Sequence, residues 1–371
     1  MADGQLRIRN ILVVGAGIAG LACAVACARS GAQVQVMEAR AIVGGTAAHL
    51  DVVPNLLRDL ARIGVGQDCA RRGFAYSGLA VVDEDGAPCF ELSTPRLAGD
   101  RLPAAVGIAY DEMLEVLATH AVNAGVRIIW GSPVDAVDLH SGRALFGAGQ
   151  RVEADLIVLA TGMGSRLVES IFGRADHSAT QTWWHALLPR PAGLDRATWM
   201  AGGPGRRLLL VPISMSRAGL AVVGAPAAGR ENSASVLAET LAAWGGLPRR
   251  LSSLIEPDSP TTLHVSGGAV LPGLWHRGAV VCAGAAAHAV ARPFGQSAAQ
   301  ALEDATVLGE LVAAGLARAD LMEQYMARRG ERARRVHALT EQAVRWMSRL
   351  EPDTDLMALA KELGDLVAEP A

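Results

Sequence analysis

Between Asn10 and Glu38 the chain reads NILVVGAGIAGLACAVACARSGAQVQVME, an order of residues that leaves few folds open. Ile11–Val14 is a short apolar run ending at a glycine, the pattern of a buried parallel strand. Gly15, Gly17 and Gly20 then follow at G-x-G-x-x-G spacing. The first permits a tight turn, the second lets backbone approach a pyrophosphate, and the third lets the next helix pack closely on the strand. A helix starting near Ile18 aims free N–H groups and the positive end of its dipole at the phosphates. A second strand, Gln33–Met37, leads to Glu38, whose carboxylate can accept hydrogen bonds from ribose hydroxyls. Arg40 stands two residues further on, available for a charge contact. Strand, glycines, helix, strand and acid in this order predict a dinucleotide-binding βαβ unit. A signal peptide or membrane span would not carry glycines at this spacing or be followed by the second strand.

With 371 residues the chain can form two domains around a sizeable core. A net charge of -3 offers no electrostatic case for nucleic acid. The five cysteines show no C-x-x-C pair and no metal spacing, and Cys23 and Cys27 read as small core residues of the first helix. With no export signal in view, the expected location is the cytoplasm, with no membrane partner.

Further along, Val53–Ile63 has helical spacing, Phe74–Val82 and Pro88–Leu92 read as strands about the turn Asp83–Ala87, and Asp111–Ala124 as an amphipathic helix before the strand Val126–Trp130. Val134–Asp138, Ala144–Gly147 and Arg151–Glu153 suggest a small antiparallel meander, and Leu156–Ala160 a buried strand ending in Thr161-Gly162. From about Ser178 to Gly224 the texture changes to β-like runs (Gln181–Leu187, Leu208–Ile213, Gly219–Val223) split by Pro/Gly loops, as in a separate sheet that could wall a pocket. Ser235–Trp244 and Pro248–Leu254 read as helical. Strand Ala279–Ala283 precedes a long helix from about Ser297 and a last helix from about Leu321 to Leu350. Arg328, Arg329, Arg332, Arg334 and Arg335 on that last helix read as a solvated face.

This order of parts resembles the FAD-dependent aromatic hydroxylases, the single-component group that includes para-hydroxybenzoate and salicylate hydroxylases. Beside GAGIAG with Glu38, ADLIVLATGMGSRLVES (Ala154–Ser170) is similar to the family's A-D-L-V-V-G-A-D-G-x-x-S-x-V-R, and GAAAHAVARPFGQSAAQALEDA (Gly284–Ala305) to its G-D-A-A-H-x-x-x-P-x-x-G-Q-G-x-N-x-x-x-E-D-A. The resemblance implies an α/β (α+β) fold: a Rossmann-like FAD-binding domain with an inserted β-sheet substrate domain and a long C-terminal helix. The expected boundaries are 1–73, 101–177 and 265–350 for the discontinuous FAD domain with C-terminal helices, 74–100 and 178–264 for the substrate-binding sheet and helices, and 351–371 for a C-terminal tail. FAD would be held by Gly15, Ala16, Gly17, Ile18, Ala19 and Gly20; by Glu38, Ala39 and Arg40; by Gly45, Thr46 and Val134; by Thr161, Gly162, Gly284 and Ala285; and by Pro293, Gly295, Gln296, Ser297 and Ala298. Four positions depart from the pattern. Thr161 and Ala285 stand where the family has aspartates, Tyr110 near the place of an arginine, and Arg292 where a proline is usual. Each lost buried polar contact costs about 1–3 kcal/mol, so a weakened cofactor site is compatible with an intact fold.

The resemblance also implies the chemistry: NADH or NADPH reduces FAD, O2 adds to give a flavin C4a-hydroperoxide, and oxygen is transferred to a small aromatic or heteroaromatic substrate, with no metal. Trp183 and His185 share one face of a strand and Trp184 takes the other. His185 reads either as a substrate-facing base or as an ordinary half-buried histidine. His49, in the loop GGTAAHLD, reads either as a group beside the flavin ring or as a solvent histidine, and His288 as structural. Arg292 reads as a cation for an anionic substrate or as a surface residue. His185, His49 and Arg292 are therefore the catalytic candidates, and Trp183, His185, Pro293 and Phe294 the substrate contacts. Two alternatives stay open: a flavoprotein that oxidises without hydroxylating or is fed reduced flavin from outside, and a catalytically silent ligand-binding protein. A monomer or homodimer is expected.

Overall fold

A computed structural model of the chain describes residues 8–178, 181–202, 206–224, 233–292, 294–348 and 354–371. At its centre lies a six-stranded sheet in the order His276–Arg277, Val280–Cys282, Leu156–Leu159, Asn10–Val14, Gln33–Met37, Arg127–Ile129. All neighbours in it run parallel except the first pair. Leu156–Leu159 is completely buried, which explains an unbroken apolar run where a half-exposed strand would alternate. The helix Ile18–Arg29 and the helix Gln296–Ala313 pack on each other at close range. Their alanine and glycine content permits this: a Cβ placed on Gly309 would lie 2.9 Å from the Ala26 Cβ, and Ser30 Oγ donates to the Gly309 carbonyl at 2.7 Å. Cys23 and Cys27 are buried in the same core.

The stretch with different texture folds as part of a seven-stranded sheet. Its order is Thr261–Ser266, Gln181–Pro189, Arg217–Val223, Arg207–Pro212, Ala197–Ala201, Leu79–Val82, Pro88–Leu92. One face packs under the helices Ala234–Trp244 and Gly246–Ser252, with Trp184, Leu237, Leu241 and Leu251 in that core. The opposite face carries Trp183, Ala221 and Val223, with Trp199 and Leu209 packed against them. The meander is present as Val134–Asp138, Arg143–Phe146 and Gln150–Glu153.

Several elements differ from the sequence expectation. Phe74–Val82 is not one strand. Gly78 has φ +80°, and Phe74–Tyr76 joins a small sheet with Ala105–Ala109 and His49–Val52, while Leu79–Val82 enters the large one. His49–Val52 and Ala105–Ala109 are strands too short and too buried for alternation to reveal. The stretch 351–371, read as a tail, contains the helix Leu356–Ala368. Leu359, Leu363 and Val367 form its buried stripe against the long helix Arg318–Ser348. Burial of such side chains stabilises by about 1.5–3 kcal/mol each. Among the described residues no helix is long and apolar enough to cross a membrane.

Candidate active site

The glycine-rich turn lies at the carboxyl end of the central parallel strands, where this kind of sheet binds ligands. Gly15 has φ +105°, and a Cβ there would stand 2.5 Å from the Ala160 carbonyl oxygen. At Gly20 a Cβ would lie 1.8 Å from the Gly15 oxygen, whereas at Gly17 it would meet nothing within 4 Å. Two glycines are therefore consumed by packing, and the middle one faces open space at the helix N-terminus. Glu38 closes the turn from the other side: Ala16 N–H donates to it at 2.6 Å, and the Arg40 N–H and Nε at 2.9 and 3.1 Å. Burial pushes the Glu38 carboxyl up, but these donors outweigh it and hold the group below the usual carboxylate range. Tyr110 stands in the same charge environment as Glu38, Arg40 and Asp111. Val134 begins the meander two residues after Ser132, whose N–H donates to the Glu38 carbonyl at 2.8 Å.

The loop Gly44–Ala48 is fastened by a residue that the motifs did not single out. Asp111 accepts from the N–H of Gly45 at 2.9 Å and of Thr46 at 3.3 Å. Thr161-Gly162 and Gly284-Ala285 follow neighbouring strands, and Gly162 and Ala285 line one small recess. The two departures from the aspartate pattern are thus close together. Thr161 Oγ1 is buried with no hydrogen-bond partner. An open Gly17, ready N–H groups, an acid at the ribose position and an unspent buried hydroxyl fit a dinucleotide such as FAD. The Ala285 side chain offers it no polar group.

Behind this cradle lies a buried ionic network. Asp304 accepts from Gly284 N–H at 2.7 Å and contacts His288 Nε2 at 2.6 Å and Arg329 Nε at 2.7 Å. Glu303 takes Arg329, Arg332 and Arg58, and Arg58 also donates to the carbonyls of Val367 and Ala368. Arg329 is fully buried, so the reading of a uniformly solvated arginine face fails at that position. Its charge is matched from the helix Gln296–Ala313, a tertiary partner that no periodicity in its own helix announces. Arg335, paired with Glu362, remains largely exposed as expected.

A cavity of about 530 Å³ opens beside the segment that leads into the helix Gln296–Ala313. Trp183, Trp199, Phe90, Leu79 and Leu209 wall it from the large sheet, and Arg292, Phe294 and Gly295–Ala298 from the loop and helix start. His49 and Asp51 line it from the short strand, while Leu356, Met357 and Ala360 come from the C-terminal helix. Neither that helix nor Trp199 was a sequence candidate. Pro293 lies outside the described residues. Phe294 has φ +76°, a backbone conformation unusual for a bulky residue.

His185 does not line this cavity. It is buried behind His49, ring centroids 5.7 Å apart, and neither nitrogen of either ring has a hydrogen-bond partner. His49 is the first residue of a strand rather than part of a loop, and its ring lies against Gly219, where a Cβ would come 2.2 Å from Cγ. Gly219→Ala should therefore displace His49: we expect ligand affinity at the cavity to fall about tenfold, roughly 1.4 kcal/mol, with flavin content unchanged. Titrating a cavity ligand against both proteins checks this.

Arg292 places its guanidinium 5.8 Å from the Trp183 ring centre. Burial brings its pKa down to about 10, against the pull of Asp51. Burial and then Arg292 bring His49 to about 3. Burial, Arg292 and the neighbouring imidazoles put His185 well below its ordinary value. Asp51, accepting a hydrogen bond from Tyr76 Oη, is pushed by burial to about 6 despite Tyr76 and Arg292. At neutral pH the two buried rings are neutral, each with one donor and one acceptor nitrogen.

Comparison with known proteins agrees with this geometry. Residues 13–64 match the model of an NAD(P)-binding Rossmann-like domain. YetM of Bacillus subtilis, provisionally named an FAD-dependent monooxygenase, is 27% identical over 358 residues, covering 94% of this chain and 96% of the relative. The FAD-dependent urate hydroxylase of Klebsiella oxytoca is 27% identical over 337 residues, 87% of this chain and 86% of the relative. Among solved structures, Klebsiella pneumoniae HpxO complexed with FAD and uric acid superposes with a TM-score of 0.81 at 24% identity, covering 97% and 93% of the two chains. Fold and site together define a flavin-type oxidoreductase. Over most of its length the chain is similar to proteins named FAD-dependent monooxygenases and urate hydroxylases.

Proposed function

We propose that this protein hydroxylates a small, planar aromatic or heteroaromatic compound, using FAD, NADH or NADPH, and O2. The observation that carries the reading is the shared wall: Gly295, Gln296, Ser297 and Ala298, the positions expected to meet the flavin, also line the apolar cavity. Bound FAD supplies hydride acceptance and oxygen activation. The chain's part is to bind, orient and keep water away. Gly15–Gly20 and Glu38 would hold the pyrophosphate and ribose; Gly45 and Thr46, fixed by Asp111, and Gly284 with the helix start at Gln296 would hold the rest. In this reading segments 74–100 and 178–264 supply the substrate wall. Trp183, Trp199 and Phe90 offer flat apolar surface to an aromatic body. Arg292 offers positive charge to an ionised oxygen, and neutral His49 can accept a proton or donate a hydrogen bond. The related urate hydroxylase, by its name, acts on a heteroaromatic compound, which supports the same class here.

The visible spectrum of purified protein, taken before and after adding FAD and desalting, is the first test. A retained stoichiometric flavin, with NAD(P)H oxidation stimulated by aromatic compounds and oxygen found in the product, is the expected result. Flavin restored by added FAD but lost on desalting would trace to Thr161 and Ala285. Oxygen uptake without incorporation would favour the non-hydroxylating alternative, and failure to bind flavin at all would overturn the proposal.

A further inference from the structure

We propose that the cavity takes an amphipathic compound, with an oxygen-bearing ring at the Trp183 end and an extended apolar tail running toward Phe90. This deepens the reading of the cavity as the substrate site and rests on it.

The large sheet walls the cavity from the strand Gln181–Pro189, which carries Trp183, to the edge strand Pro88–Leu92, which carries Phe90 and Leu92. Those strands are five inter-strand steps apart, about 24 Å along the sheet at the usual spacing. A single aromatic ring is far shorter than that. Register makes much of the wall continuous. Leu209 pairs with Trp199, Trp199 with Val81, and Val81 with Phe90, so these four side chains stand in one row on one face. Leu79 and Leu92, paired with each other two residues along their strands, flank the row on the same face. All six line the cavity, and the Trp199 indole N–H is their sole polar side-chain group.

The Trp183 end has a different character. Arg292 places its guanidinium 5.8 Å from the Trp183 ring centre, with Asp51 within electrostatic reach. The indole nitrogen of Trp183 and both ring nitrogens of His49 are buried without a hydrogen-bond partner among the described residues. Buried polar atoms normally have partners, so a ligand oxygen here would meet groups that the fold leaves unspent. A tail would find no such groups along the row.

Facing the cavity from its other side, the C-terminal helix presents Leu356, Met357 and Ala360, while Leu359, Leu363 and Val367 are spent against the long helix. Asp355, which also lines the cavity, is occupied as the N-cap of that helix and accepts from Ala358 N–H at 2.8 Å. Phe90 and Met357 are 45% and 50% exposed, so two large apolar side chains stand where the cavity meets solvent. A tail laid between the row and the helix would cover both. A volume of about 530 Å³ also suits a ligand larger than one ring.

The test titrates para-cresol, para-butylphenol and para-heptylphenol into the full-length protein with FAD in excess, following the flavin spectrum and indole fluorescence. Each added methylene should tighten binding about two- to fourfold, so para-heptylphenol should bind at least about fiftyfold tighter than para-cresol. Ala360→Phe would fill the cavity from the helix side and should bring that ratio down to within about threefold of unity. Met357→Glu puts a carboxylate beside the tail's exit, in a helical first turn that favours it, and should cut the ratio at least about fivefold. If Ala360→Phe fails to fold, Met357→Glu decides alone. Equal affinities across the series, or the wild-type ratio kept in either folded variant, would overturn the proposal while para-cresol binding left the substrate site standing. If none of the three phenols disturbed the flavin or the indole signal, the reading of the cavity would fall, and the tail site with it.

Discussion

Replacing Gly20 with alanine should destabilise the whole protein, whereas replacing Gly17 should remove the cofactor and leave the fold alone. A Cβ at Gly20 has to displace the Gly15 carbonyl, 1.8 Å away, and that carbonyl belongs to the turn joining the central strand to the helix. Overpacking of this kind costs about 1–3 kcal/mol and more where backbone must move. Because it is backbone that must move, we expect about 3 kcal/mol, a fall in Tm of roughly 4 °C for a chain of this length. At Gly17 a Cβ meets nothing within 4 Å, and the backbone is extended, with φ -75° and ψ -176°. The apoprotein of Gly17→Val should melt within about 1 °C of the wild-type apoprotein. Its side chain would fill the space where backbone approaches the pyrophosphate, so FAD affinity should drop on the order of a hundredfold, about 2.7 kcal/mol. Thermal melts of the apoproteins and flavin titration separate the two effects. Equal behaviour of the two variants would contradict the division of labour within the motif.

The second large effect is expected at Arg329. Substitution by methionine leaves Asp304 with His288 and Gly284 N–H, and Glu303 with Arg58 and Arg332, but removes the cation between them. Breaking a buried pair by deleting one partner costs about 3–5 kcal/mol. Arg335→Met on the same helix breaks an exposed pair with Glu362 and should cost under about 0.5 kcal/mol. Asp304 gives the network a pH signature. Burial raises its carboxyl, but His288, Arg329 and the Gly284 N–H together bring it down to about 2. The folded-state value lies below the unfolded one, so the stabilisation is fully present above about pH 4 and is lost as pH falls toward 2. The linkage is worth on the order of 2 kcal/mol. Denaturant melts between pH 5 and 2 should show this loss in wild type and a flatter profile in Arg329→Met. Because Asp304 holds Gly284, flavin affinity should fall in that variant too.

Much of the fold was readable from local pattern. The strand Asn10–Val14, the helix beginning at Ile18 and the strand Gln33–Met37 stand where the glycine spacing and apolar runs put them. The meander and the sheet change near Ser178 were equally visible, because alternation and turn residues are local signals. The single-sided placement of Trp183 against Trp184 follows from strand geometry alone. The misses share a cause. His49–Val52 is a four-residue strand behind a glycine-rich loop and owes its existence to pairing with Ala105–Ala109. The break at Gly78 is decided by which sheet each half can join. Arg329 carries no mark distinguishing it from its exposed neighbours until Glu303 and Asp304 are brought against it.

The sequence by itself determined the dinucleotide cradle, because a strand, three glycines at fixed spacing, a helix start and an acid are contiguous and their geometry is covalently enforced. It also determined the chemical character of the candidate groups at His49, His185, Arg292 and Trp183. Only the tertiary structure decided how they stand to one another. It put His49 in the cavity and His185 behind it, and brought the C-terminal helix Leu356–Ala368 against the cavity. It also brought Asp51 and Arg292 within electrostatic reach of each other, although they are distant in the chain. Those relations depend on strand register and helix docking between distant segments, and the energies that fix them arise only when the segments meet.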